Sequence, residues 1–202
     1  MDFLSIFPLL YLASVFKTMG MQLGHYDDAF LTWIGSIGSL ANGLSRVVWG
    51  PMQDKTGFRK IYQVVLGIEL LVCSLLPLIV QTNKYLYLIW VFMSYLCLGA
   101  HFVIFPNAII ALFGLRSSVQ LSSLIYISRA CTAISGMFIS KALVSHFGES
   151  SYSIMFYTSC VFVVFSGIIL TACFRQEPIR KIQDDGYERV DEIVKPKQIE
   201  SH

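Results

Sequence analysis

The chain has 202 residues, of which 55% are hydrophobic and 14% charged, with a formal net charge of +2 and a mean hydropathy of +0.63. Soluble domains carry charge on about a quarter of their residues, so this composition excludes an ordinary water-soluble domain and places the chain in a bilayer. The charge balance is too mild, and Lys and Arg too confined to the ends of apolar runs, to suit a nucleic-acid partner.

A crossing of about 30 Å of hydrocarbon needs about 20 helical residues. Six runs meet that requirement: Phe3 to Leu23, Ala29 to Met52, Ile61 to Val80, Tyr85 to Phe113, Val119 to Val144 and Tyr152 to Phe174. The first lacks a small-residue cleavage pattern and reads as a span, not a signal peptide. Short polar connectors separate the runs, and none shows the apolar alternation of barrel strands, so the predicted class is an all-α membrane protein. Five cysteines, Cys73, Cys97, Cys131, Cys160 and Cys173, lie inside apolar runs with no C-x-x-C or Cys/His pairing. They read as buried small residues, and no metal or other cofactor is expected.

Lys55, Arg59, Lys60, Arg116, Arg175, Arg180 and Lys181 fall on one side of the spans, against Lys84 on the other. The positive-inside rule makes the first side cytosolic, or matrix in an organelle, and six spans put both termini there. Residues 175–202 mix charges of both signs with little apolar content and predict a mobile tail. Within it "YERV", Tyr187 to Val190, fits a tyrosine-based sorting pattern that arises readily by chance.

The densest charge in the spanning part is "GPMQDKTGFRK", Gly50 to Lys60, read as a tight cytosolic turn between the second and third helices. Gly50 permits close helix approach and Gly57 a turn of positive φ, while Asp54 at a helix end can meet the N-terminal dipole of another helix. The stretch resembles the signature loop of the major facilitator superfamily, G-x-x-x-D-[RK]-x-G-[RK]-[RK], through Gly50, Asp54, Lys55, Gly57, Arg59 and Lys60, with Phe58 where a basic residue is usual. "NGLSRVVWG", "HFVIFPNAIIALFG" and "LIYISRA" are similar to the C-terminal six helices of the oxalate:formate antiporter family, and more distantly to monocarboxylate transporters.

The resemblance implies one half of a major facilitator fold whose N-terminal half is missing, as in a truncated gene model, a split gene or a half-size subunit. It implies secondary transport of small organic anions, mono- or dicarboxylates, with the signature loop as a gate. It also implies that basic residues on the second and fifth helices hold the anion; Arg46 and Arg129 occupy those places. Arg129 stands where the family usually has Lys, and "SSL" replaces an expected N-Y-G before it.

Ionisable groups inside a span each cost about 2.5 to 3.5 kcal/mol on insertion scales and so point to function. Lys17, Arg46, Glu69, His101, Arg129 and Lys141 are these residues. A guanidinium fork suits a carboxylate because it donates two parallel hydrogen bonds. Arg46 and Arg129 are therefore expected to face an anion in a watery crevice, helped by Tyr126, His101 and Lys17. The alternative for Arg129 is a structural ion pair with Glu69. Glu69 and His101 are the groups able to exchange protons. Gly35, Gly38 and Gly43 suggest a close-packing face on the second helix, and Pro106 a kink in the fourth. A non-transporting structural subunit of a larger membrane complex is the rival reading. An enzyme is disfavoured, since there is no nucleophile with a base, no H-E-x-x-H and no phosphate-cradling glycine loop.

Overall fold

A computed structural model describes residues 2–148 and 150–173. The expected tail and its "YERV" lie outside the described residues. Among these residues the chain forms six helices and no strand: α1 Asp2–Gln22, α2 Asp28–Thr56, α3 Phe58–Ile79, α4 Lys84–Gly114, α5 Ser117–Phe147 and α6 Ser150–Cys173. The all-α expectation holds, because a segment in lipid must satisfy its own backbone polar groups and a helix does so within itself.

Side chains at the connectors fix where helices start. Asp27 accepts from Ala29 N at 3.1 Å ahead of α2, and Asn83 accepts from Tyr85 N at 2.8 Å ahead of α4. Each satisfies one of the four amides that a first turn leaves open.

The charged segment is not a loop. α2 runs on to Thr56, α3 begins at Phe58, and Gly57 alone separates them with φ 84° and ψ 155°. Gln53 and Asp54 sit past the apolar limit of the span yet stay helical, Asp54 exposed and Gln53 buried against α4. α4 and α5 join through one break at Gly114, φ 74° and ψ 169°, and Pro106 lies within the helical part.

Five of the six helices are long and apolar enough to cross a bilayer. α2 is the exception in composition. Thr32, Ser36, Ser39 and Arg46 recur at helical spacing on its exposed side, with the three hydroxyls turned back onto carbonyls one turn earlier. That spacing makes one wettable stripe from Thr32 to Arg46, about half the length of α2.

α4 and α5 together pack against every other helix, and α3 against α6. Two apolar cores result. One gathers Ile6, Phe58, Tyr62, Val65, Ile104, Phe105 and Leu170; the other gathers Tyr11, Met19, Leu31, Leu76, Tyr87, Val91 and Phe156. α2 comes closest to α4 at Gly99, where an added Cβ would lie 1.9 Å from Ser45 Oγ and 2.5 Å from the Asn42 carbonyl oxygen. Gly38 packs on the Tyr95 ring, whereas Gly43, expected on the same packing face, meets nothing within 4 Å. Trp49 Nε1 donates to the Leu96 carbonyl at 3.0 Å and Gln53 Nε2 to the Ile104 carbonyl at 3.0 Å, tying α2 to α4.

Candidate functional site

Charge is expensive inside such a bundle, so its placement is the most informative feature of the molecule. Four ionisable side chains from four helices converge in the interior: Asp2 of α1, Glu69 of α3, His101 of α4 and Arg129 of α5. Glu69 lies about 16 Å along α3 from Phe58, and Arg129 about 18 Å along α5 from Ser117, at 1.5 Å per residue.

Arg129 is 4% exposed. Its Nε donates to Asp2 Oδ2 at 2.9 Å and its Nη2 to Asp2 Oδ1 at 3.0 Å, a bidentate pairing; Nη2 also donates to the His101 carbonyl at 2.8 Å. The His101 ring bridges two acids, with Nδ1 3.3 Å from Asp2 Oδ1 and Nε2 3.4 Å from Glu69 Oε2. Both His101 and Glu69 are wholly buried. Arg129 Nη1 and Glu69 Oε1 are buried without a hydrogen-bond partner among the described residues.

Aromatic rings wall the cluster. His101 stacks on Phe105 and meets Tyr62 edge-on. The Arg129 guanidinium lies over Phe102, Tyr126 and Phe105, at 4.8, 5.5 and 5.9 Å from the ring centres. Arg46 reaches the same place from α2, with its guanidinium carbon 4.7 Å from the centre of the Phe102 ring. It donates to no carboxylate among the described residues; its Nη2 donates to Asn42 Oδ1 at 3.4 Å. Two cations from different helices, one buried and one exposed, thus contact one aromatic ring, an arrangement that cation–π attraction supports.

The structure therefore brings Arg46, Arg129, Tyr126 and His101 together, with Glu69 one ring further in. Lys17 is elsewhere: it pairs with Asp28 at 2.9 Å and donates to Thr32 Oγ1 at 3.1 Å, about 22 Å along α1 from Asp2. It thereby stands at the far end of the polar stripe of α2 that ends at Arg46. The junction residues also lie apart. Gly50 is buried with a virtual Cβ 3.5 Å from Val103 Cγ1, Asp54 and Lys55 are exposed, and Arg59 is half-buried at the start of α3.

One expectation for Arg129 changes: its acid is Asp2 and not Glu69, which instead meets His101. A shallow hollow of about 350 Å³, lined by Ile110, Ser118, Val119, Ser122, Ser123 and Tyr126, lies on the far side of Tyr126, the ring that the Arg129 guanidinium covers. Asp2 is the buried, paired charge that hydropathy misses. It stands just ahead of the first apolar run and looks like a solvated flank, and the one available signal was that an acid there sits next to a span rather than inside a connector.

Known proteins are similar to this chain over much of its length. The family model described as the Major Facilitator Superfamily matches residues 2–200. The oxalate:formate antiporter of Oxalobacter formigenes is 26% identical over 167 residues, covering 82% of this chain and 38% of the antiporter. Apicoplast pyruvate carrier 1 of Toxoplasma gondii is 25% identical over 123 residues, covering 61% of this chain and 22% of the carrier. The chain thus spans well under half the length of these curated relatives. With five helices long and apolar enough to cross a bilayer among the described residues and a family match over nearly its whole length, the chain is an integral, multi-pass membrane protein that belongs to the Major Facilitator Superfamily.

Proposed function

We propose that the chain serves as one six-helix half of a secondary transporter for small organic anions, mono- or dicarboxylates, which works by alternating access against a second half. That second half is either an N-terminal partner segment or another copy. A single half cannot rock around a central site by itself. The carrying observation is the convergence of Arg46 and Arg129 on the Phe102 ring, at 4.7 and 4.8 Å. Arg46, exposed and without an acid among the described residues, stands beside a second guanidinium, and a carboxylate matches the fork of either.

The exposed stripe of Thr32, Ser36 and Ser39, leading from Lys17 to Arg46, supplies the wettable path such a site needs. Tyr126 and His101 complete the wall, while Glu69 and His101 are the proton-exchanging pair. The Gly50, Asp54, Lys55, Gly57, Arg59 junction acts as the gate: with one residue between α2 and α3, the two helices move as a unit. Lys and Arg at that junction favour the cytosolic or matrix side for it and for both termini. The two relatives, named for oxalate, formate and pyruvate, favour carboxylates as the substrate class.

A second reading, a non-transporting structural subunit of a larger membrane complex, draws on the sealed Asp2–Arg129 pair. Blue-native electrophoresis together with uptake of labelled formate, pyruvate and oxalate into proteoliposomes separates the two. Saturable uptake supports the transporter; a large stable assembly with no flux of any of the three supports the subunit.

A further inference from the structure

The two arginines and the hollow lie along one groove between α4 and α5. On α5, Ser122, Tyr126 and Arg129 follow at spacings of four and three, which puts them on one face, with about 10 Å of helix from first to last. On α4, which runs the other way, Ile110 sits by Ser122 at the hollow and Phe102 by Tyr126 and Arg129 at the cations. Tyr126 stands where the two parts meet. Its ring stacks on Phe102 at 6.3 Å and lies 5.5 Å from the Arg129 guanidinium, and the same residue bounds the hollow of about 350 Å³.

Charge at the upper part of the groove is nearly all matched. Arg129 is held by Asp2, Glu69 faces the His101 ring, and Lys17 is paired with Asp28 at the far end of the α2 stripe. Arg46 is left without an acid among the described residues. One carboxylate therefore balances the site, and a second would need a cation of its own. The hollow does not supply one: its described lining carries no cation, Ile110 and Val119 give it apolar walls, and the Ser123 hydroxyl is spent on the Val119 carbonyl at 2.8 Å. Its volume falls at the lower end of the range of pockets that hold whole organic ligands, and is far more than a methyl group fills.

We infer that the hollow is a tail pocket, and that the chain takes a monocarboxylate carrying a branched or aromatic tail. The carboxylate sits on Arg46 above Phe102, and the tail passes over the Tyr126 ring to rest against Ile110 and Val119, with Ser122 at its end. This deepens the transport reading and rests on it: the anion site stays where it was, and the substrate becomes larger and less charged than oxalate. Each methylene removed from water adds about fourfold to affinity, so two or more in the hollow give at least about tenfold over an acid that ends in a methyl group.

Calorimetric titration of the full chain in lipid nanodiscs with pyruvate, α-ketoisocaproate, phenylpyruvate and oxalate, each corrected with empty nanodiscs, tests this. The first three share one head group and differ in the tail alone. In the wild type both tailed acids bind at least about tenfold tighter than pyruvate, and oxalate binds no tighter than pyruvate. Ser122→Phe and Val119→Phe, which fill the hollow from two places, each bring the ratio of tailed acid to pyruvate close to one. Tailed acids that bind no tighter than pyruvate overturn the tail pocket and leave the anion site standing, whether or not the filled variants fold. A ratio kept in both filled variants overturns the hollow as the place of the tail. Oxalate as the tightest of the four overturns the count of one unmatched charge. A wild type that binds none of the four removes the anion site itself, and this inference with it.

Discussion

Asp2 and Arg129, 127 positions apart in sequence, are joined by two hydrogen bonds of 2.9 and 3.0 Å in the interior of the bundle. The pair closes α1 onto α5, and the His101 carbonyl adds a third contact from α4. Breaking a buried pair from one side leaves an uncompensated charge, which costs about 3 to 5 kcal/mol. Arg129→Ala should therefore lower the midpoint of thermal unfolding in detergent markedly, and Asp2→Asn added to Arg129→Ala should recover part of the loss. Equal losses in the single and double variants would show that the charge of Asp2 is not what destabilises the single one.

Arg46 offers the contrast. Its guanidinium is exposed and touches Phe102 and Asn42 without an acid. Arg46→Ala should change stability by no more than about 1 kcal/mol, the size of a cation–π contact at a partly wet site. Formate affinity should nevertheless fall by at least about tenfold, equivalent to about 1.4 kcal/mol of lost binding. Comparing melting and calorimetric titration of the same preparation checks both halves of the statement.

Gly57 holds α2 and α3 apart with φ 84° and ψ 155°, in a region that side chains rarely enter. Gly57→Ala should cost about 1 to 3 kcal/mol through backbone strain alone, since nothing lies within 4 Å of an added Cβ. A stability loss that also appears in Gly43→Ala, where the backbone is helical and space is equally open, would point to general disruption instead. Chemical unfolding of the two variants side by side decides it.

At Gly99 the obstacle is contact. A methyl group there runs into Ser45 Oγ and, behind it, the Asn42 carbonyl. Gly99→Ala should destabilise by about 1 to 3 kcal/mol, the usual range for overpacking, and Ser45→Gly should relieve it only in part because the carbonyl is backbone. Full rescue by Ser45→Gly in the same melting assay would contradict the geometry.

The six helices were legible because hydropathy over about 20 residues is a strong signal, whereas their packing, α1 and α2 on α4 and α3 on α6, does not follow chain order. Their ends were less so. Gln53 to Thr56 are polar, and an apolar criterion stops before them although the helix does not. Arg46, Arg129, Tyr126 and His101 were singled out as polar or ionisable residues of the spans, and the fold brings them together. Lys17 was singled out on the same ground and is not with them, because residence in a span says nothing about which end or face a side chain serves. Asp2 was hidden for the converse reason: its depth comes from how α1 sits against α4 and α5, a tertiary fact that leaves no mark in composition. Gly99 likewise looks like any small residue in an apolar run, while the glycines of α2 form a visible set of which Gly43 faces open space.

The central claim is that Arg46 and Arg129 hold the carboxylate of a transported anion. Uptake of labelled formate, pyruvate and oxalate into proteoliposomes carrying the wild-type chain with its second half, Arg46→Ala or Arg129→Ala measures this most directly. Uptake of at least one acid by the wild type, reduced to the protein-free background in each variant while both remain inserted in the membrane, is the predicted result. Uptake that persists undiminished in both variants would contradict the account.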